Sequence, residues 1–354
     1  MTSLDAAVAT LCRGLQAVTP EQVLLADALN CIAANMPLPA PFPPCDTAIL
    51  DGWAFTSGHL VGASSYSPLP LAVAPCWVEA GEPMPESCDC VLDDDVVDAS
   101  GPLVQVVSEA FPGQGVRRAG GDIAAREPFI AVGHPIRVLD LVRARAAGYA
   151  TLRVRRPRLR LTNMSTDPNN GLTSSMIGEL ARAEGAAVSH GDAACLTGNP
   201  CDLLITIGGT GVGRRDAAVT ALAERGTVLA HGLSLLPGRT TAIGTIAKVP
   251  VIALPGRPDQ AVAGWWTLAL PALDVLTKRF RRPMRTLPLA RKIASAVGVS
   301  EIALLRQTDS EWAPLTVGDL SLDAIAGADA WRLIPSESEG FAAGALIDAY
   351  MLKA

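Results

Sequence analysis

The chain has 354 residues, which at roughly 150 residues per domain points to two or three domains. Apolar residues make up 49% and charged residues 18%, a balance that excludes wholesale disorder, and aromatics at 4% leave a core built from Ala, Val and Leu. The net charge of −6 provides no concentrated positive surface for phosphate backbones, so nucleic acid is not an expected partner.

In chain order, Leu4, Val8, Leu11, Cys12 and Leu15 recur at helical spacing and predict an amphipathic opening helix ending near Thr19-Pro20. Asp5 and the lack of a basic start argue against a signal peptide, and a cytoplasmic chain is expected. A second short element begins at Pro20. Pro37 to Pro44 holds five prolines and reads as a stiff, extended connector, since proline fixes φ and removes a donor. From Ile49 to about Ile136 short apolar runs (Leu71–Val73, Cys90–Leu92, Leu103–Val107) alternate with Gly, Pro and Asp clusters, as in a β-rich domain. Helical periodicity returns over Leu139–Ala147. The arginines of Arg153 to Leu161 alternate with apolar residues, as in a strand whose outer face is solvated or, as a minority reading, lines a groove for an anionic ligand.

From Leu159 to Leu276 strands alternate with helices. Strands are expected at Leu159–Leu161, Ala187–Ser189, Asp202–Ile207 and Val251–Leu254, with helices at Ser174–Gly185, Asp216–Arg225 and around Trp265-Trp266. This order implies a mainly parallel sheet covered on both faces. The apolar stretch Ala261–Leu273 is too short for the ~20 residues that span a bilayer and reads as a core helix, so no membrane is expected. Arg279–Pro288 reads as a linker, and strands near Glu301–Gln307 and Ala345–Ala349 suggest a small terminal β domain. Cysteines at 12, 31, 45, 76, 88, 90, 195 and 201 form no CxxC pair. Cys88 and Cys90 would share a strand face, as buried free thiols or, as a minority reading, a metal site.

Four segments carry the chemistry. Leu203 to Gly213 is an apolar strand running into Gly208-Gly-Thr-Gly-Val-Gly213, where backbone amides can approach an anion beside a helix start. A plain tight turn is the alternative, and neither a P-loop nor a dinucleotide fingerprint is present. Leu236-Pro-Gly-Arg239 and Leu254-Pro-Gly-Arg257 are two short rigid turns, each able to hold a guanidinium toward an oxyanion or simply to place it at the surface. The second lies at a strand's C-terminal end, where open α/β sheets bind ligands. In the N-terminal half, Asp51 precedes Gly52 and Trp53, an Asp-Gly turn or a functional carboxylate. Val116-Arg-Arg-Ala-Gly-Gly-Asp122 mixes basic residues, glycines and one acid.

With these segments in order, the chain resembles the MoeA family, the molybdopterin molybdenumtransferases, related to plant Cnx and the gephyrin E domain. Asp46-Thr-Ala-Ile-Leu-Asp51-Gly-Trp-Ala is similar to the family's Asp-Asn-Ser-Ala-Met-Asp-Gly-Tyr-Ala. Gly81-Glu-Pro-Met-Pro to Asp89-Cys-Val resembles its Gly-x-Pro-x-Pro stretch, with Asp95 where the family has Glu. Arg117 to Ile123, Gly208 to Asp216 and the two Pro-Gly turns follow in register. The resemblance implies an α/β plus β multidomain fold: an N-terminal linker and helical domain (1–48 and 130–152), a β-rich inserted domain (49–129), a MogA-like α/β molybdopterin-binding domain (153–280) and a C-terminal β domain (285–354). It implies a homodimer that inserts molybdate into adenylylated molybdopterin and releases AMP with Mg²⁺. By position, Asp51, Asp122 and Asp216 would be the catalytic acids, with Asp51 and Asp216 on the metal. Gly208, Gly209, Thr210, Gly211, Gly213, Pro237, Gly238, Arg239, Pro255, Gly256 and Arg257 would hold pterin phosphate and molybdate. A MogA-like adenylyltransferase or a client molybdoenzyme would be the protein partner.

Departures are local. The family's Ser-Thr-Gly-Asp-Glu is here Asn163-Met-Ser-Thr-Asp167-Pro, so a carboxylate pair is lost. Ala80, Leu236 and Gln260 replace a threonine, a lysine and a serine. Arg214, Arg215 and Arg257 are the cations available in compensation. The alternatives are a non-catalytic molybdopterin or molybdenum-cofactor delivery protein and a scaffold without a pterin site.

Overall fold

A computed structural model describes the chain except for residues 72–73, 99–102, 125–127, 129, 165–167, 192–199, 214–215 and 353–354 and the side chains of 168–170. Asp167, Arg214, Arg215, Cys195 and the end of the Leu71–Val73 run therefore lie outside the described residues. The chain divides into two units: Met1–Asn35 with Val132–Arg137 and Thr151–Ala354, and Met36–Ala131 with Val138–Ala150.

The first unit is built on a six-stranded sheet in the spatial order Ala187–Gly191, Arg158–Asn163, Leu203–Ile207, Val249–Leu254, Ala242–Ile246, Thr227–His231. The first four strands are parallel, as the alternation of strands and helices predicts. Two further antiparallel strands, Ala242–Ile246 and Thr227–His231, extend one edge and were not expected from the sequence. Thr227–His231 is mostly exposed, and Gly244 interrupts the apolar pattern of its neighbour, so neither reads as a buried run. Leu159, Leu161, Ile205 and Ile252 pack on one face with Ile177 and Ala181 of the helix Pro168–Ala183. Leu204 and Val251 pack on the other with Ala221 and Leu222 of the helix Ala218–Arg225.

The expected solvated face of the Arg153–Leu161 run holds in its first half, where Arg153 is exposed between the buried Leu152 and Val154, and is lost where the second half enters the covered sheet. The run is two strands, Thr151–Arg155 and Arg158–Asn163, and Arg160 is buried at 5% exposure. The apolar stretch is a buried core helix, as expected, with the segments Pro258–Gly264, Trp265–Ala269 (π-helical) and Leu270–Thr277 in succession. Among the described residues, no helix is long and apolar enough to cross a membrane. The opening helix is shorter than expected, Leu4–Cys12, because Gly14 turns the chain into the left-handed region at φ 78°.

The segment Arg279–Pro288 is not a linker. Arg279 and Arg282 are half-buried in ion pairs to Glu184 at 2.6 and 2.9 Å, and Arg282 also pairs with Asp274 at 2.8 Å. Met284–Pro288 then forms an edge strand of the C-terminal sheet, against Leu346–Met351. That sheet continues through Ala330–Ile334 and Ser300–Gln307 to Leu235–Leu236, a strand supplied by the α/β segment. Trp266 of the core helix stacks on Trp331 at 5.3 Å, and Trp331 on Tyr350 at 4.8 Å, so the two segments share one core.

The second unit is β-rich, with two three-stranded sheets: Cys76–Val78, Gly52–Phe55 and Cys90–Leu92, and Ser64–Pro70, Gln105–Ser108 and Val97–Asp98. Cys90 is fully buried, donates its thiol hydrogen to Phe55 O at 3.4 Å, and is pushed up to about 12 by that burial. It is a core thiol.

Candidate functional site

The glycine loop begins where Leu203–Ile207, buried throughout, leaves the sheet at its C-terminal end. Gly208 and Gly209 take φ of 83° and 70°, a left-handed pair that turns the chain back toward the next helix. A Cβ on Gly209 would lie 3.2 Å from the nitrogens of both Ala217 and Ala218, so the loop needs glycine there for space as well as conformation. The Ala218 N–H donates to Gly209 O, closing loop onto helix at 3.0 Å.

Three loops meet at this sheet edge through hydrogen bonds. The Gly208 N–H donates to Leu254 O at 2.9 Å, joining the glycine loop to the second Pro-Gly turn. The hydroxyls of Thr210 and Thr240 lie 3.1 Å apart, joining it to the first. The two Pro-Gly turns approach each other as well, since a Cβ on Gly238 would meet Gln260 O at 3.2 Å. Thr173, on the helix Pro168–Ala183, donates its hydroxyl to Gly256 O at 2.6 Å and fixes the second turn from below. Thus Gly208, Gly209, Thr210, Gly211, Gly213, Pro237, Gly238, Arg239, Pro255, Gly256 and Arg257 belong to one connected set of loops.

Asp216 lies inside the glycine loop. Its Oδ2 accepts the Gly213 N–H at 2.7 Å, and Cβ atoms on Gly211 and Gly213 would stand 2.6 and 2.9 Å from that oxygen. An internal carboxylate thus occupies part of the amide cradle that the loop offers to anions. Arg239 is exposed beside the buried Pro237 and Gly238. The exposed Arg257 pairs with its neighbour Asp259 through two bonds of 3.1 and 3.3 Å.

Two residues of this edge escape a sequence reading. His231 Nε2 lies 2.9 Å from Thr210 O, and because a carbonyl only accepts, Nε2 carries the proton. Thr240 meets the buried Thr210. The visible signal was a histidine, one of four in the chain, closing the strand before the first Pro-Gly turn. Among the described residues the buried Thr206 and Thr241 hydroxyls have no hydrogen-bond partner, polar atoms of the kind that a water or ligand would satisfy.

Asp51 and Asp122 belong to the second unit, where their three motif segments come together. Thr47–Ala48 pairs with Val116–Arg117, and the Ala48 N–H donates to Glu82 O at 2.9 Å. Asp51 accepts the Ala80 N–H at 2.7 Å, and Asp122 faces Arg117 at 3.3 Å. Asp46, which the sequence offered only as part of a motif, accepts from the Ala119 N–H and from Arg118. These bonds, Ala119's first, hold its carboxyl below the usual range.

The donor set bears on a cation. Among the described residues no three His, Cys, Asp or Glu side chains cluster to form a cage. Asp216 keeps Oδ1 as a hard oxygen donor, which suits Mg²⁺ bound by one or two carboxylates together with water and substrate phosphates. The residues fit a cation that arrives with its substrate.

Comparison with known proteins places this geometry. The profile of the MoeA N-terminal region (domain I and II) matches residues 2–148, and that of a probable molybdopterin binding domain matches 183–275, together more than half of the chain. A putative molybdopterin biosynthesis protein of Methanocaldococcus jannaschii is 24% identical over 94% of this chain and 92% of its own. Molybdopterin molybdenumtransferase 2 of Mycobacterium tuberculosis is 26% identical over 73% of this chain and 76% of its own. The crystal structure of a molybdopterin biosynthesis MoeA protein from Pyrococcus horikoshii superposes with a TM-score of 0.70 over 100% of both chains at 21% identity, which establishes the shared multidomain fold. The two matching profiles and the full-length fold agree with the motif order, and the chain belongs to the MoeA family.

Proposed function

We propose that this protein acts in molybdenum cofactor biosynthesis as a molybdopterin molybdenumtransferase, inserting molybdate into the dithiolene of adenylylated molybdopterin with release of AMP. The observation that carries this reading is the joining of the glycine loop and both Pro-Gly turns at one sheet edge. Short turns locked to one another present their amides and guanidiniums in fixed directions, which is the preorganisation that anion transfer needs. In this reading Gly208 to Gly213 and the turns at Pro237-Gly238 and Pro255-Gly256 hold the pterin phosphate. Arg239 stands where the family has a lysine and neutralises the oxyanion. Asp216 orients the reacting phosphoanhydride, and Asp51 and Asp122 are, by motif position, the family's other acids. Mg²⁺, when bound, adds positive charge against the phosphate oxygens, with Asp216 and Asp51 as its protein donors. A cytoplasmic homodimer, and a MogA-like adenylyltransferase or client molybdoenzyme as partner, belong to the same proposal.

A second reading, a non-catalytic protein that binds molybdopterin or the finished cofactor and delivers it, is favoured by two departures from the family pattern. Leu236 stands where a cleft lysine would be, and the family's Gly-Asp-Glu is absent from the stretch 163–168.

The test is turnover. The full chain is incubated with adenylylated molybdopterin, molybdate and Mg²⁺, and AMP is measured. We expect AMP release that falls by about 100-fold in Asp216→Ala, the order found on losing a group aimed at transition-state charge. Pterin binding without AMP would transfer the case to the delivery reading, and no binding at all would leave a scaffold.

A further inference from the structure

The opposite edge of the same sheet carries a cavity. The parallel strands Arg158–Asn163, Leu203–Ile207 and Val249–Leu254 begin there, so it lies at their N-terminal ends, away from the glycine loop. It has a volume of about 630 Å³, walled by the segment Gly14–Glu21 and by Arg156, Arg158, Cys201, Asp202 and Lys248. That volume suits a small molecule rather than a bare ion, since ligand pockets run from roughly 300 to 1,000 Å³.

Its charges are unevenly matched. Arg158 is held bidentately by Asp202, at 2.8 and 3.1 Å, and brings no free charge to the cavity. Arg156 and Lys248 remain, against the single exposed carboxylate of Glu21. The Arg156 Nε is closed to solvent and, among the described residues, has no hydrogen-bond partner, so an oxyanion in the cavity would meet the remaining guanidinium nitrogens. Lys248 sits in a two-residue hairpin turn, Ala247-Lys248, with φ of 49° and 71°. Such a turn ordinarily takes Asn-Gly, and this chain instead keeps a cation in the left-handed position beside the cavity.

We propose that this cavity is a second binding site, for a small anionic molecule whose phosphate or carboxylate lies between Arg156 and Lys248. The inference stands apart from the pterin reading, because its residues lie at the other ends of the strands and none belongs to the glycine or Pro-Gly loops. Anionic occupancy balances the charges of Arg156 and Lys248, and the rest of the ligand fills the space along Gly14–Glu21.

Cys201 gives a local readout, since it lines the cavity and is half-buried. Alkylation of the full chain by iodoacetamide is followed at Cys201 by mass spectrometry near pH 9, as burial raises this thiol. Inorganic phosphate and succinate are the two probes, each at ~10 mM, a concentration that saturates a millimolar site. We expect one of them to slow alkylation at Cys201 by about fivefold while leaving Cys45 unaffected, the phosphate arm pointing to phosphate esters and the succinate arm to carboxylates. Protection should vanish in Arg156→Gln and weaken in Lys248→Gln, whose exposed turn position keeps the test independent of folding. No protection by either probe, or equal protection in Lys248→Gln, overturns the proposal.

Discussion

At the scale of single residues, Asp216 separates two contributions that a simple deletion would merge. Its place is set by two neighbours, because Gly213 supplies the hydrogen bond and Gly211 supplies the space. Asp216→Asn retains an oxygen that can accept the Gly213 N–H, so the loop keeps its shape while the charge is lost. Gly211→Ala does the reverse, since its φ is not left-handed and its new Cβ would stand 2.6 Å from the carboxylate. Both variants are expected to remain within ~1 kcal/mol of the parent in urea unfolding, as substitutions that leave core packing untouched usually do. Both should nevertheless lower AMP release by tenfold or more, on the order of what one misplaced or missing charge costs in a preorganised site. Full activity in Gly211→Ala would show that the position of this carboxylate is immaterial to the chemistry.

At the scale of elements, the ion-pair cluster of Glu184, Asp274, Arg279 and Arg282 fastens the end of one helix, the core helix and the approach to the C-terminal sheet. Burial pushes the Asp274 carboxyl up despite Arg282 and pulls Arg279 down, so the cluster is held by mutual pairing rather than by solvent. Glu184→Gln leaves two half-buried guanidiniums sharing one carboxylate, and should cost about 3 kcal/mol in chemical unfolding. Little salt dependence is expected, because partly buried pairs are screened less than surface ones. A loss below ~0.5 kcal/mol would reduce the cluster to an ordinary surface network. The same cluster shows why this segment was unreadable. Charge and proline over Arg279–Pro288 look like a linker locally, and the partner that orders them is 95 and 98 residues away. Leu203–Ile207 was legible for the opposite reason, since a strand buried on both faces announces itself as a nearly continuous apolar run, here interrupted only by Thr206. The glycine and Pro-Gly turns were legible as turns. Their joining by Thr210, Thr240 and Gln260 depends on sheet order, which no short window contains.

At the scale of the whole molecule, the two units carry acidic groups whose shifts have opposite signs. In the β-rich unit, burial alone would raise Asp89, but the Ser57 N–H and hydroxyl bond both its oxygens at 2.6 and 2.8 Å and hold it low. Asp46 is lowered by Ala119 and Arg118. Groups with depressed pKa contribute stability that is fully present above their unfolded value of 3.8 and is lost as pH falls through the folded value. Asp274 in the other unit is raised, so its contribution is present below 3.8 and fades as pH rises through the folded value. Acidification below 3.8 should therefore weaken the β-rich unit, while Asp274, whose contribution changes only above 3.8, takes nothing from the α/β unit in that range. Hydrogen exchange distinguishes them when rates are corrected to protection factors. Protection at Ser57 and Ala119 should drop by up to about tenfold per pH unit for each carboxylate titrated. Amides of the buried strand Leu203–Ile207 should hold their protection further into acid. If protection at Ser57, Ala119 and Leu203–Ile207 fell in parallel at one pH, acid stability would be set by a group common to both units and not by Asp46 and Asp89.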